Sequence, residues 1–235
     1  MSQNKVIFGY PRSGTKLLAS LFQHQGYFNF GEFFALTTDI QEDVIPYAVR
    51  KSVQAQEEFR KERKTRGSSI DNIVVADSIR NRLDIFNKYK DTTPSVATVW
   101  MDNFLRVPEL LESLNDRFFL CTRRSNEFEQ LLSRAIVYKH SNYNDEIPSA
   151  PFSLDVNLFV FSYYQLNQTV QFQNYLIKQD RGCIIDFDEL ISGTSNLGFD
   201  YSVTSKDQHA DVTGLILNLE EIKKTYQYMK TNYPH

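Results

Sequence analysis

The stretch Val6-Ile-Phe-Gly-Tyr-Pro-Arg-Ser-Gly-Thr-Lys-Leu-Leu18 decides the fold, because an apolar run, a glycine-bearing turn and an amphipathic run follow one another within thirteen residues. That order is strand, phosphate loop, helix. Gly14 frees the backbone to approach an anion, and the amides of Ser13, Gly14 and Thr15 would point at it from the helix N-terminus. The loop reads as a nucleotide site.

Outward from this loop, strands and helices alternate. A helix is expected from about Thr15 to Gln25, then a second strand or extended turn over Tyr27-Phe-Asn-Phe-Gly-Glu-Phe-Phe34. Residues 41–66 have the charge density of an exposed helix ending in the basic cluster Arg60-Lys-Glu-Arg-Lys-Thr-Arg66, a solvated face. Ile70, Ile73, Val74, Ile79, Leu83 and Phe86 recur at mostly helical steps. Strands follow at Ser95 to Met101, Arg117 to Thr122 and Gly182 to Asp186, with helices at Pro108 to Leu114, Asn126 to Tyr138, Asp155 to Lys178 and Leu219 to Asn232. Such alternation predicts a parallel sheet covered on both faces, in a single domain spanning residues 1–235.

Gly9 and Gly14 have the spacing of a Walker A loop, but Thr15-Lys16 follows where Lys-Ser/Thr is required. A one-place slip on a helix rotates a side chain by roughly 100°, which swings Lys16 away from the β/γ-phosphates. Arg12, meanwhile, sits inside the loop. The segment Tyr10-Pro-Arg-Ser-Gly-Thr15 instead resembles the 5′-phosphosulfate loop of the sulfotransferases that use 3′-phosphoadenosine 5′-phosphosulfate (PAPS). The resemblance implies a P-loop NTPase-like three-layer α/β sandwich with a central parallel sheet flanked by helices.

In an open parallel sheet, ligands sit beyond the carboxyl ends of the strands. One such end is Thr122-Arg123-Arg124, with Ser133 nine residues after Arg124 on the following helix. In the bacterial carbohydrate-type sulfotransferases an arginine and a serine at this spacing hold the 3′-phosphate of PAPS, which a guanidinium can grip bidentately. Arg123 competes for the role, and spacing alone favours Arg124. In the tyrosylprotein and trehalose-type enzymes a Gly-Glu after the first helix supplies the base, which implies that role for Glu32 of Gly31-Glu32. Burial beside Phe28, Phe30, Phe33 and Phe34 would raise its pKa toward a useful range. His24 and His140 lie in the wrong context for a base, and Asp102 is the next candidate. Gly182-Cys-Ile-Ile-Asp-Phe-Asp-Glu-Leu190 resembles the family's late strand and Tyr-Glu-Asp-Leu run, with Phe187 in place of tyrosine. Its aspartates are expected to cap the following turn. The glycine-rich C-terminal lid of the cytosolic branch has no counterpart, and Lys206 is the remaining candidate for it.

Composition restricts the partners. With 235 residues, 41% hydrophobic content and a net charge of −3, the chain gives no general reason to bind nucleic acid or an anionic membrane. No apolar run approaches the roughly 18 residues of a membrane span. The polar start Met1-Ser-Gln-Asn-Lys5 leads straight into the first strand, so no signal peptide is expected. Cys121 and Cys183 fall in short apolar runs expected to be buried strands, as reduced thiols of a cytoplasmic protein. A homodimer stays open.

Together these readings imply transfer of a sulfuryl group from PAPS, leaving 3′-phosphoadenosine 5′-phosphate (PAP), to a hydroxyl of a carbohydrate or small-molecule acceptor. The cofactor would be held by Arg12, Ser13, Gly14, Thr15, Lys16, Arg124 and Ser133, with Arg12 and Glu32 catalytic and no metal required. The alternatives are a small-molecule kinase, with Lys16 on ATP and Asp186 on Mg²⁺, and a degenerate nucleotide-binding protein without turnover. Acceptor choice is expected to reside in residues 41–90, the loop Ser141 to Ser153 and the C-terminal tail.

Overall fold

The structure, a computed structural model, describes residues 4–32, 34, 80, 82–84, 86–87, 94–140, 150–195, 197–199 and 213–234. The expected helix over 41–66, its basic cluster, Lys206 and residues 141–149 lie outside the described residues. Of the helix expected near Ile70 to Phe86, Arg80, Arg82 to Asp84 and Phe86 are described and helical.

Strand β1 (Lys5–Gly9) leads through the loop into helix α1 (Thr15–His24), and β2 (Phe28–Gly31) follows. Next come β3 (Ser95–Val99), α2 (Met101–Arg106), α3 (Glu109–Ser113) and β4 (Phe118–Arg123). The chain continues as α4 (Glu127–His140), α5 (Val156–Lys178), β5 (Gly182–Asp186), α6 (Phe187–Ser192) and α7 (Leu219–Asn232). The five strands form one parallel sheet in the order β2-β3-β1-β4-β5, flanked by helices as an α/β three-layer sandwich. Chain order reverses on either side of β1, so the carboxyl end of β1 is the switch point of the sheet.

The chain forms two compact units, Met1–Phe8 with Leu18–Leu120, and Gly9–Leu17 with Cys121–His235. In the first, β1 pairs with β3 from Lys5↔Val96 to Phe8↔Val99, and Asn4 Oδ1 fixes this register by accepting from the Ser95 amide at 3.1 Å and hydroxyl at 3.0 Å. Every residue of β3 is buried, as a strand covered on both faces must be. Phe8, Phe104 and Phe119 form one aromatic file, with centroids 5.6 and 6.3 Å apart. The strand expected to run to Met101 stops at Val99. The Asn103 side-chain oxygen accepts from the Trp100 amide at 2.8 Å and thereby starts α2 at Met101.

In the second unit, α4, α5 and α7 enclose a core that includes Tyr10, Leu131, Phe159, Tyr163, Ile222 and Tyr226. Asp155 caps α5 through its carboxylate, which accepts from the Asn157 and Leu158 amides at 2.8 and 3.3 Å. Cys121 is buried, but Cys183 is only half-buried, because β5 is the edge of the sheet and leaves Ile184 exposed. Neither cysteine is joined in a disulfide. Among the described residues, no helix is long and apolar enough to cross a membrane.

Candidate functional site

The loop after β1 is built by its own short-range bonds. The Ser13 amide donates to the Tyr10 carbonyl at 3.2 Å, closing a turn, and the Ser13 hydroxyl donates to the same carbonyl at 2.6 Å. With that proton committed, the 2.7 Å contact between the Ser13 and Thr122 hydroxyls has Thr122 as donor. Ser13 and Thr122 are both fully enclosed, and the pair fastens the loop to the end of β4. Gly9 has to be glycine for this reason, since a Cβ there would collide with both hydroxyl oxygens. From α4, the buried Gln130 amide donates to the Pro11 carbonyl at 3.2 Å and reaches the Tyr10 carbonyl at 3.5 Å.

Two residues of the turn have left-handed backbone, Arg12 at φ 70° and Gly14 at φ 84°. For Gly14 this conformation is free of cost, and a side chain would also strike the Phe187 ring. For Arg12 it is strained, which marks the residue as one whose geometry is imposed by its surroundings. The strained backbone directs the guanidinium toward α4, where Nε donates to Ser133 Oγ at 3.0 Å. Ser133 accepts in this bond and keeps its own O–H to donate.

The structure therefore brings Arg12, Ser13, Gly14, Thr15 and Ser133 together between the start of α1 and the middle of α4. Of the three amides expected to face an anion, that of Ser13 is bonded inside the loop. Those of Gly14 and Thr15 belong to the helix start, where an α-helix provides no carbonyl acceptor. Thr15 is buried, and Lys16 is exposed on α1.

The two arginines after β4 part company. Arg123 is committed to α5, with Nε donating to Gln173 at 2.7 Å and Nη2 to Asn174 at 2.6 Å and the Val170 carbonyl at 3.4 Å. Burial pulls its pKa below the ordinary arginine value. Arg124 turns toward the loop side, lying 5.3 Å over the Phe187 ring and pairing with Glu129 at 2.9 Å. Its Nε is buried without a hydrogen-bond partner. Phe187 thus touches both Gly14 and Arg124.

Asp186 caps α6. One carboxylate oxygen accepts from the Asp188 and Glu189 amides at 2.7 and 3.3 Å, and the other accepts from the Ser125 hydroxyl at 2.8 Å. The capping role expected of this segment is what the structure contains.

Glu32 lies in the first unit, half-buried directly after β2. The preceding Gly31 amide donates to the Asn29 side chain at 2.7 Å. Phe28 packs edge-on against Phe30 at 4.7 Å, and Phe30 against Phe86 at 5.2 Å. Asp102 is exposed in the first turn of α2.

Thr122, Glu129 and Gln130 were not singled out by sequence. Their one signal was position, at the end of a strand already marked by its arginines and in the helix that follows. No protein-family model and no curated protein matches the chain.

Proposed function

We propose that the protein is a PAPS-dependent sulfotransferase acting on a hydroxyl of a carbohydrate or small metabolite. The observation that carries this reading is the 3.0 Å bond from Arg12 in the first loop to Ser133, 121 positions later. It joins the two short motifs on which the resemblance rests. The donor set suits the ligand: helix-start amides and the Thr15 hydroxyl for a 5′-phosphate, and for a 3′-phosphate the Ser133 hydroxyl with an Arg124 whose Nε is buried without a partner. Such charge-assisted contacts are the strong ones.

PAPS, when bound, supplies a sulfuryl group activated by its anhydride bond to phosphate. The residues then divide the work. Arg12 stabilises the charge that develops on the bridging oxygen as the old sulfur–oxygen bond breaks. Glu32 takes the proton of the acceptor hydroxyl as the new sulfur–oxygen bond forms. Arg124 and Ser133 hold the nucleotide in register for in-line attack. A cytoplasmic setting is part of this proposal; burial, with Cys183 nearby, pushes the Cys121 thiol up to about 12 and keeps it protonated. The kinase reading is weaker, because both Asp186 oxygens are occupied by capping and by Ser125.

The test compares PAP with ADP as stabilisers of the full chain. A charge-assisted contact is worth roughly 1.5–3 kcal/mol, about ten- to a hundredfold in affinity, so PAP should raise the melting temperature more than ADP at equal concentration. Arg124→Ala should abolish that preference. Equal shifts for the two nucleotides on the wild-type protein would overturn the assignment.

A further inference from the structure

Arg124 is held by groups whose relation to a ligand can be worked out. Asn126 caps α4, its side-chain oxygen accepting the Glu129 amide at 3.1 Å, so the backbone of Glu129 is fixed one turn from Arg124. From there the Glu129 carboxylate reaches back to Arg124 Nη2 at 2.9 Å, while the Phe187 ring supports the guanidinium from the side at 5.3 Å. Glu129 is half open to solvent, at 53% side-chain exposure, whereas Arg124 is 20% exposed. The carboxylate can leave into water at little cost. The guanidinium cannot, and its Nε has no partner to fall back on. A carboxylate and a phosphate present the same paired oxygens to a guanidinium, so one can replace the other.

We infer that Glu129 competes with the nucleotide's 3′-phosphate for Arg124 and thereby drives release of PAP after each turnover. This inference rests on the sulfotransferase reading and adds a residue that the reading does not need for binding or chemistry. The incoming 3′-phosphate displaces the carboxylate and takes Nη2, with Phe187 keeping the guanidinium in place during the exchange. Return of Glu129 to Arg124 then pushes the product off. A nucleotide without a 3′-phosphate leaves the Arg124–Glu129 pair untouched and does not feel the competition.

The experiment measures PAP and ADP affinity by calorimetry, and PAP dissociation by stopped flow, on the wild-type chain, Glu129→Gln and Glu129→Ala. Both variants should bind PAP roughly three- to tenfold more tightly, mainly through slower dissociation, with ADP affinity within about twofold of wild type. PAP affinity equal to wild type in both variants would overturn the inference and leave the sulfotransferase reading standing. A gain of equal size for PAP and ADP would also overturn it, since that is the signature of a general field and not of a shared partner. Failure of wild type and variants alike to prefer PAP over ADP would remove both the inference and the reading beneath it.

Discussion

Arg12 combines a left-handed backbone, φ 70°, with a long-range bond to Ser133, and the two properties can be separated by substitution. Alanine removes the guanidinium but keeps the strained backbone, whereas glycine removes both. Arg12→Gly should therefore be the more stable variant, by about 1 kcal/mol in urea unfolding, while both lose nucleotide affinity to the same extent. An Arg12→Ala protein as stable as Arg12→Gly would show that the turn is not strained. Gly9 makes the complementary point about what sequence can tell. Its spacing to Gly14 was read as that of a phosphate loop, but the reason for glycine at that position in the structure is the Ser13–Thr122 hydroxyl pair, joined across 109 positions. No local pattern encodes such a contact. Between Arg123 and Arg124 the sequence offered only the nine-residue spacing to Ser133; which guanidinium faces Gln173 and Asn174 of α5 is a long-range contact that it does not encode.

At the scale of elements, the strands and longer helices were legible because burial on two faces writes continuous apolar runs and burial on one face writes a helical period. Asp155 to Lys178 is the clearest case, its length readable from the sequence and its Asp155 cap seen in the structure. Of the three short helices, α3 was legible and α2 and α6 were not. The apolar run of β3 continues through Trp100 into Met101, and only the Asn103 side chain on the Trp100 amide reveals the change to α2. Helix α6 has six residues and was read only as a turn capped by its aspartates. The packing of α7 against α4 carries a prediction of its own. The Tyr226 hydroxyl donates to the Glu127 carboxylate at 3.2 Å, and burial, together with that carboxylate, pushes the phenol up to about 12. The unfolded phenol ionises near 10, so the folded state keeps its proton where the unfolded state has lost it. The stabilisation from this group is complete below pH 10 and is lost as the pH rises through about 12. Subtracting the Tyr226→Phe stability curve from that of wild type should give a difference that is flat from pH 7 to 9 and falls above 10. A difference that stays flat to pH 11.5 would remove Glu127 and burial as the cause.

Over the whole molecule, a net charge of −3 means that an anionic ligand has to be held by a few oriented groups against an unfavourable general field. On the proposed reading those groups come from the loop after β1, the residue after β4 and the middle of α4, and ligand affinity should depend on them one by one. Catalysis asks for something separable from that affinity. On the proposed mechanism the proton of the acceptor hydroxyl does not touch the nucleotide, so its removal can be taken away without loosening the nucleotide. Glu32→Gln preserves the shape and polarity of the side chain and deletes only its basicity. PAP affinity should remain within about twofold of wild type, while transfer from labelled PAPS to an acceptor, found by screening hydroxylated sugars and metabolites, should fall by about 10²–10⁴-fold. Arg12→Ala should lower both quantities, because on the same reading the guanidinium acts on the ground state and the transition state alike. If Glu32→Gln transfers at the wild-type rate, the base is another residue, and Asp102→Asn is the variant to make next. If Glu32→Gln loses PAP binding in the same proportion as transfer, Glu32 supports the nucleotide site and does not act on the proton.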